Sequence, residues 1–392
     1  MRWKEVPLRS LIVPNNKRNR PDLPLLSVVR EEGIIKRKLD RSDNHNVIPD
    51  DLSSYKVVST GQFVINKMKA WQGSCGVSPY EGIVSPAYFV FDLNIDNPRF
   101  FNYSIRSKVF VDEFNRISKG IRVGQWDLEL NLLKYVRFPL PPRDEQDQIV
   151  RYLDWKVSQV NRLVNAKRRV VELLQEQIDV LVYFAIANPQ RKVRLKHVVE
   201  VVRNWIERDN FLLYSPIGVL NRGRGVFHKE QLMGADLGTS EFFSVEPHVL
   251  MISGQFAWER AVAITTEKEK NCIASHRYYT VRGIRAVCKT EYLWAFFQTK
   301  LGDTILNSCS HGAAGRNRPL NFNEMLNEYI PMPAIEIQEK IARYVETYLK
   351  FRAMVKSGEK LIAEYRTRLI SDAVTGKMDV RGIAVPFNGA GK

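Results

Sequence analysis

Three places in the sequence group side chains able to hydrogen-bond base edges and hold phosphates. In NKMKAWQGS (66–74), Lys67, Lys69 and Gln72 surround Trp71 directly after a strand-like run, and GQFAWERA (254–261) offers Gln255, Trp258, Glu259 and Arg260 in the same setting. A glycine-containing loop reads SKGIRVGQWD (118–127), with Lys119, Arg122 and Gln125; a related one reads SHGAAGRNRP (310–319), with His311, Arg316, Asn317 and Arg318. The third place is LNRGRGVFHK (220–229), with Asn221, Arg222 and Arg224. Arg and Lys match guanine edges, Asn and Gln match adenine, and cations neutralise phosphates. Glycines allow close backbone approach. Trp71 and Trp258 fit a core role as well as a stacking one, and Lys67 and Lys69 fit a solvated surface as well as a phosphate contact.

Catalytic chemistry is not legible in the same way. The sequence has no Gly-x-x-x-x-Gly-Lys-Ser/Thr phosphate loop and no Asn/Asp-Pro-Pro-Tyr/Phe stretch of a base-methylating site. The glycines of NRGRGVF follow no clear strand and open no clear helix, so a dinucleotide loop is not expected. His45, His197, His228, His248, His276 and His311 form no His-x-x-x-His pair, and Cys75, Cys272, Cys288 and Cys309 form no Cys-x-x-Cys pair. A zinc site and a disulfide framework are therefore not expected; buried, reduced thiols are.

The chain has 392 residues, 44% hydrophobic and 26% charged, enough for two or more folded domains. A formal net charge of +16 favours a polyanionic partner, though a merely basic surface would carry it too. No apolar run approaches the roughly 18–20 residues of a membrane span, and MRWKEVPLRS lacks the apolar core of a signal peptide. The reading is a cytoplasmic protein with no membrane partner.

The elements that must position these residues come in two copies. FPLPPRDEQDQIVRYL (138–153) is echoed by IPMPAIEIQEKIARYV (330–345): Pro139, Pro141, Gln146, Ile149 and Arg151-Tyr152 meet Pro331, Pro333, Gln338, Ile341 and Arg343-Tyr344. VPLRSLI (6–12) meets VRLKHVV (193–199), Ala70-Trp71 meets Ala257-Trp258, and IVSPAYF (83–89) meets IASHRYY (273–279). Each copy opens with strand-like runs and one helical stretch, FFNYSIRSKVFVDEFNRI (100–117) or TEYLWAFFQTKLGDTILNS (290–308), so each globular part reads as α+β.

A long helix follows each pair of prolines. Val157, Val160, Val164, Val171, Leu174, Ile178, Leu181 and Ala185 fall on heptad spacing, interrupted by Lys167. Ile341, Val345, Tyr348, Val355, Ile362, Leu369 and Ala373 do so in the second helix, with Arg352, Glu359, Arg366 and Gly358 loosening the seam. Each helix is expected to run about 60 Å, the first about one turn longer. Pairing the two on each other, antiparallel and related by a pseudo-two-fold axis, is more economical than burying each separately. The run Lys167-Arg168-Arg169 then forms a solvated or partner-facing stripe.

These junctions, together with GIVSPAY (82–88) and the closing RTRLISDAVTGKMDVRG (366–382), give an order of motifs that resembles the DNA specificity subunit of type I restriction-modification systems over essentially the whole chain. The resemblance implies an α+β tandem repeat of two target-recognition domains, 1–137 and 191–329. It also implies that helices at 138–190 and 330–376, expected as an antiparallel coiled coil, set spacing and dock partners, followed by a tail at 377–392. It implies a non-catalytic subunit that reads a bipartite site in double-stranded DNA. Two modification subunits and the restriction subunits would supply adenine methylation and cleavage, with S-adenosylmethionine, ATP and magnesium bound in those partners and no cofactor in this chain. Gln146, Arg151, Tyr152, Gln338, Arg343 and Tyr344 are the expected docking residues. Ile337 stands where the first junction has Glu145, which puts in question identical docking at both. The alternative is a coiled-coil scaffold or anti-restriction homologue that does not read sequence.

Overall fold

The computed structural model of the chain describes residues 3–37, 49, 51–120, 126–312 and 318–386. Two compact units emerge, Met1–Asn165 with Ser357–Lys392, and Ala166–Lys356. Each unit thus combines one globular repeat with a segment of both long helices.

In the first unit an antiparallel sheet runs in the order Ile12–Pro14, Tyr88–Leu93, Phe63–Asn66, Cys75–Val77. Alternation along the central strand feeds two cores. Phe63 and Ile65 face a cluster with Phe100, Phe101, Phe114 and Phe138, whereas Val64 faces Leu26, Val28, Ile34, Val58 and Val90. The second unit repeats the plan with Val199–Val201, Tyr278–Gly283, Leu250–Ser253 and Val262–Ile264. Leu250 and Ile252 join the helical core, and Met251 joins Ile217, Val219 and Phe243 on the other side. Each buried Phe, Val or Ile contributes about 1.5–3 kcal/mol.

The helical stretch expected in each repeat is in fact two helices. Pro98–Ile105 starts from an Asn97 cap that accepts from the Arg99 and Phe100 amides, and stops before Ser107, whose extended backbone opens Lys108–Arg116. In the second repeat Thr299 is extended and its hydroxyl accepts from the Gly302 amide, separating Thr290–Gln298 from Lys300–Ser308. The apolar periodicity continues across both breaks, which hides them in the sequence.

In each junction the first proline lies within a strand and the later ones directly follow it. Arg137–Leu140 pairs with Lys4–Pro7, setting Pro139 against Glu5, and Tyr329–Met332 pairs with Arg191–Arg194, setting Pro331 against Lys192. Both are two-stranded ribbons, where a missing amide donor is tolerated. The helices that follow, Arg143–Ala187 and Ile335–Val374, have 45 and 40 residues, lengths of about 68 and 60 Å.

The heptad seam holds. Val157, Ile178 and Ala185 are buried, and Val160, Val164, Lys167, Val171, Leu174 and Leu181 half-buried. On the second helix Ile341, Val345, Tyr348, Val355, Leu369 and Ala373 are buried, while Arg366 is exposed. In the first unit Ile149, Val150 and Leu153 share a core with Leu369, Ala373 and Val374. In the second, Ile178, Val182 and Ala185 share one with Ile341, Val345 and Tyr348. The start of each helix thus packs with the end of the other, an antiparallel coiled coil. Arg352 has a reason to sit on the seam: its guanidinium donates to the Gly223 carbonyl at 3.0 Å and to the Tyr348 hydroxyl at 3.2 Å.

The mismatch between Glu145 and Ile337 also has a local cause. In the first unit the segments around Trp3 and 380–383 meet beside the junction: the Trp3 indole donates to Glu145 at 2.6 Å, Arg381 lies 3.6 Å from the same carboxylate, and the Gln148 amide donates to the Val380 and Ile383 carbonyls. In the second unit the chain passes from the first helix into Arg191–Arg194 without a break, and Ile337 packs on the core instead. All four cysteines are free and buried, and burial pushes the Cys75 and Cys288 thiols up to about 12. Among the described residues no helix is long and apolar enough to cross a membrane.

Replacing Glu145 by Ala is expected to free the tail, so that trypsin cuts after Lys377 or Arg381 about tenfold faster while global melting changes little. An unchanged cleavage rate in a time course would remove Glu145 from that role. At pH 8 a thiol reagent is expected to find no fast-reacting cysteine in the native chain and four in denaturant, because a raised thiol pKa leaves almost no thiolate.

Candidate nucleic-acid interface

The stretches singled out in the sequence are neighbours within each unit. In the first, residues 66–74 form the turn between Phe63–Asn66 and Cys75–Val77, closed by the short helix Ala70–Gln72. The glycine loop returns beside it: the Leu128 amide donates to the Lys67 carbonyl, Lys67 pairs with Asp127 at 2.8 Å, and Trp71 packs on Trp126 with ring centroids 5.0 Å apart. Lys119 pairs with Glu129 at 3.2 Å. Lys67 and Lys119 are therefore held by acids rather than free. Lys69 is exposed, and Gln72 and Trp71 are half-buried at the same turn.

In the second unit all three stretches converge. Asn221 donates to the Glu259 carboxylate, and the Arg222 and Gly223 amides donate to the Glu259 and Arg260 carbonyls at 2.8 and 2.9 Å. Arg318 stacks over Trp258, 5.3 Å from the ring centroid. The Leu320 amide donates to the Gly254 carbonyl at 2.7 Å, tying the glycine loop to the turn. Arg260 adopts a left-handed backbone and its side chain reaches Asp303 and the Gln298 carbonyl, so it braces the turn. His311 pairs with Glu324 at 2.9 Å, and the Arg224 Nε donates to the Asn221 carbonyl. Arg222 is exposed and Gln255 half-exposed. Arg122, Gln125, Arg316 and Asn317 lie outside the described residues.

Trp126, Asp127 and Glu129 belong to this frame and were not among the expected site residues. Trp126 and Asp127 lay inside the quoted glycine loop and could have been found there; their pairing with a turn about 55 residues away in sequence could not.

The expected docking residues divide. Gln146 and Gln338 are buried and shape the junctions: their side-chain amides donate to the Pro141 and Pro333 carbonyls at 2.9 and 3.0 Å, and Gln338 Oε1 accepts from the Lys289 amide. Tyr152 is buried as well. Burial removes these three from a docking surface. Arg151 and Arg343 are exposed and Tyr344 half-exposed. A larger outward face lies on the first helix, where Val170, Leu173, Val180, Tyr183 and Phe184 are exposed.

Lys69→Ala and Arg222→Ala are each expected to weaken duplex binding by up to about 1–3 kcal/mol without moving the melting temperature, and Arg260→Ala to lower the melting temperature. Anisotropy titrations with paired thermal melts check this; unchanged DNA affinity in both exposed-residue variants would exclude these turns as the interface.

No family model and no curated protein sequence matches the chain. Solved structures do. A structure of a type I R-M system, described in terms of complex assembly and conformational transition, contains a chain that aligns with a TM-score of 0.60 and 14% identity, over 96% of this chain and 98% of its own. The S subunit of the type I restriction-modification system from M. genitalium aligns with a TM-score of 0.53 and 10% identity, over 97% of each chain. The HsdS subunit from Thermoanaerobacter tengcongensis gives 0.50 and 15%, over 96% and 97%. At these identities the likeness is one of fold, shared over nearly the full length of each chain.

Proposed function

We propose that this chain is the sequence-reading subunit of a type I restriction-modification complex. The observation that carries the proposal is the full-length fold match together with the convergence, in each unit, of differently decorated loops on an equivalent frame. Similar frames with different side chains suit two readers of unlike half-sequences. The first would present Lys69, Gln72 and Trp71, with Lys67 and Lys119 released from their acids on contact. The second would present Arg222, Arg224, Asn221, Gln255 and Arg318 beside His311. Arg122, Gln125, Arg316 and Asn317 enter this reading from the sequence.

The exposed apolar face on the first helix, with Arg151, Arg343 and Tyr344, supports the docking of modification and restriction subunits, since a large exposed apolar patch marks an interaction site. Adenine methylation and ATP-dependent cleavage belong to those partners, which bind S-adenosylmethionine, ATP and magnesium; this chain contributes recognition and works in the cytoplasm. A scaffold that has lost sequence reading is the second interpretation. It draws on the acid partners that occupy Lys67, Lys119, Arg260 and Asn221.

Methylation-aware sequencing of host DNA with and without this gene is the decisive experiment. The expected result is a bipartite adenine motif that vanishes with the gene; an unchanged methylome would refute the proposal. Deleting four residues, about one helical turn, from the first helix is expected to change the gap between half-sites and leave both half-sequences intact. Retention of the original gap would show that the helices do not act as the ruler.

A further inference from the structure

Each repeat carries a β-hairpin packed on the same face of its central strand. Leu26–Val29 pairs with Gly33–Lys36, and Leu26, Val28 and Ile34 pack with Val64. Ile217–Val219 pairs with Val226–His228, and Ile217 and Val219 pack with Met251. The two tips differ in charge. Residues 30–32 expose Arg30, Glu31 and Glu32, whereas residues 220–225 expose Arg222 and Arg224. Only the second tip offers cations alone to a polyanion, and it is the one that meets the Trp258 turn at the candidate interface.

An arginine holds each tip by its main chain, but the two arginines come from different places. Arg106, which closes the helix Pro98–Ile105 inside the globular repeat, donates to the Arg30 and Glu31 carbonyls at 3.0 and 2.7 Å. Arg352, which donates to the Gly223 carbonyl at 3.0 Å, comes from the long helix Ile335–Val374. The second tip needs such a hold. Arg222 and Gly223 both have left-handed backbones, with φ of 57° and 62°. For arginine that conformation is disfavoured, because Cβ crowds the following carbonyl, so surrounding contacts must impose it. The Arg222 and Gly223 amides donate to the Glu259 and Arg260 carbonyls, and Arg352 takes the Gly223 carbonyl. A Cβ at Gly223 would run into the Gln298 side chain, so the tip is closely seated. Its backbone is fixed while the Arg222 side chain stays exposed.

Arg352 sits on the heptad seam between buried Tyr348 and Val355, where an apolar residue would pack better. A polar residue on a seam fixes geometry at a cost in stability. Here the guanidinium also donates to the Tyr348 hydroxyl at 3.2 Å, and the Tyr348 ring lies against Trp294 with centroids 5.8 Å apart. A continuous set of contacts therefore runs from the helical core, through the seam, to the main chain beside Arg222.

We infer that Arg352 is a positioning residue for one half-site: it ties the 221–225 tip to the long helix and so fixes where Arg222 meets the DNA. This rests on the proposed function. It makes the two readers unequal, because the second takes its alignment from the helix that the first repeat's tip, held by Arg106, does not use.

The test sequences host DNA for methylation with the chain as wild type, Arg352→Met, Arg352→Lys or Arg222→Ala, and melts each purified full chain. Arg352→Met leaves the seam apolar, so its melting temperature is expected to stay level or rise. It is expected to methylate sites altered in one half of the motif about tenfold more often than the wild type does. That half is the one Arg222→Ala also relaxes, and the other half stays strict. Arg352→Lys, which keeps a donor for the Gly223 carbonyl, is expected to retain the wild-type pattern. Full strictness in both halves with Arg352→Met overturns the inference alone. Relaxation of both halves, with or without a lower melting temperature, makes Arg352 a structural residue and overturns it too, as does equal relaxation by the Lys variant. A wild-type chain that yields no bipartite motif overturns the proposed function and the inference with it.

Discussion

A heptad stripe must be covered along its length, and here each long helix divides its stripe between two cores. Ile149, Val150 and Leu153 of the first helix, with Leu369, Ala373 and Val374 of the second, close the core around Phe138. Ile178, Val182 and Ala185, with Ile341, Val345 and Tyr348, close the core around Tyr292 and Phe296. At about 1.5–3 kcal/mol for each fully buried aliphatic side chain, these segments are a large share of what keeps either unit folded. Neither globular repeat is complete without both helices. Because each helix is covalently continuous, folding of one core organises residues that the other needs.

That constraint explains an asymmetry between otherwise matching junctions. The second unit is built from one continuous stretch of chain, whereas the first must gather its core from both ends of the polypeptide. Where the second unit has an unbroken path from helix to strand, the first relies on side chains: Glu145 receives Trp3 and Arg381, and Gln148 holds the tail by two backbone carbonyls. A carboxylate in the first turn of a helix is favoured in any case. Ile337 has no such pair of segments to hold and packs on the core instead.

Much of this was legible in the sequence because periodicity reports burial directly. The heptad positions on the first helix, Lys167 included, are all buried or half-buried, and the repeat placed the start of the second helix near where it lies. Capping was less legible: Ser107 and Thr299 interrupt helices whose apolar spacing runs on, so one helix was expected where two form. The conserved look of Gln146 and Gln338 between the two copies suggested a shared partner, but the matching side chains serve a shared local geometry, holding proline carbonyls inside the fold. Repetition within a chain cannot by itself tell structural need from function. The meeting of the 66–74 turn with the glycine loop, and of Asn221 with Glu259, depends on the tertiary path and has no local signal.

The acid partners in the candidate interface bear on how such a site could work. Lys67–Asp127 and Lys119–Glu129 are both substantially solvent-exposed. Exposed pairs of this kind are worth about 0–1 kcal/mol, so exchanging a carboxylate for a phosphate costs little. The geometry of the turns does not rest on those pairs alone. Trp71 against Trp126, Arg318 over Trp258 and the backbone bonds from Leu128 and Leu320 hold the loops whether or not the pairs are intact. A reader assembled this way has its frame fixed by packing and main-chain bonds, while its cations are held loosely and in advance near where they are needed. Internal neutralisation and nucleic-acid recognition are then compatible, and the difference between the two halves reduces to which side chains each frame presents.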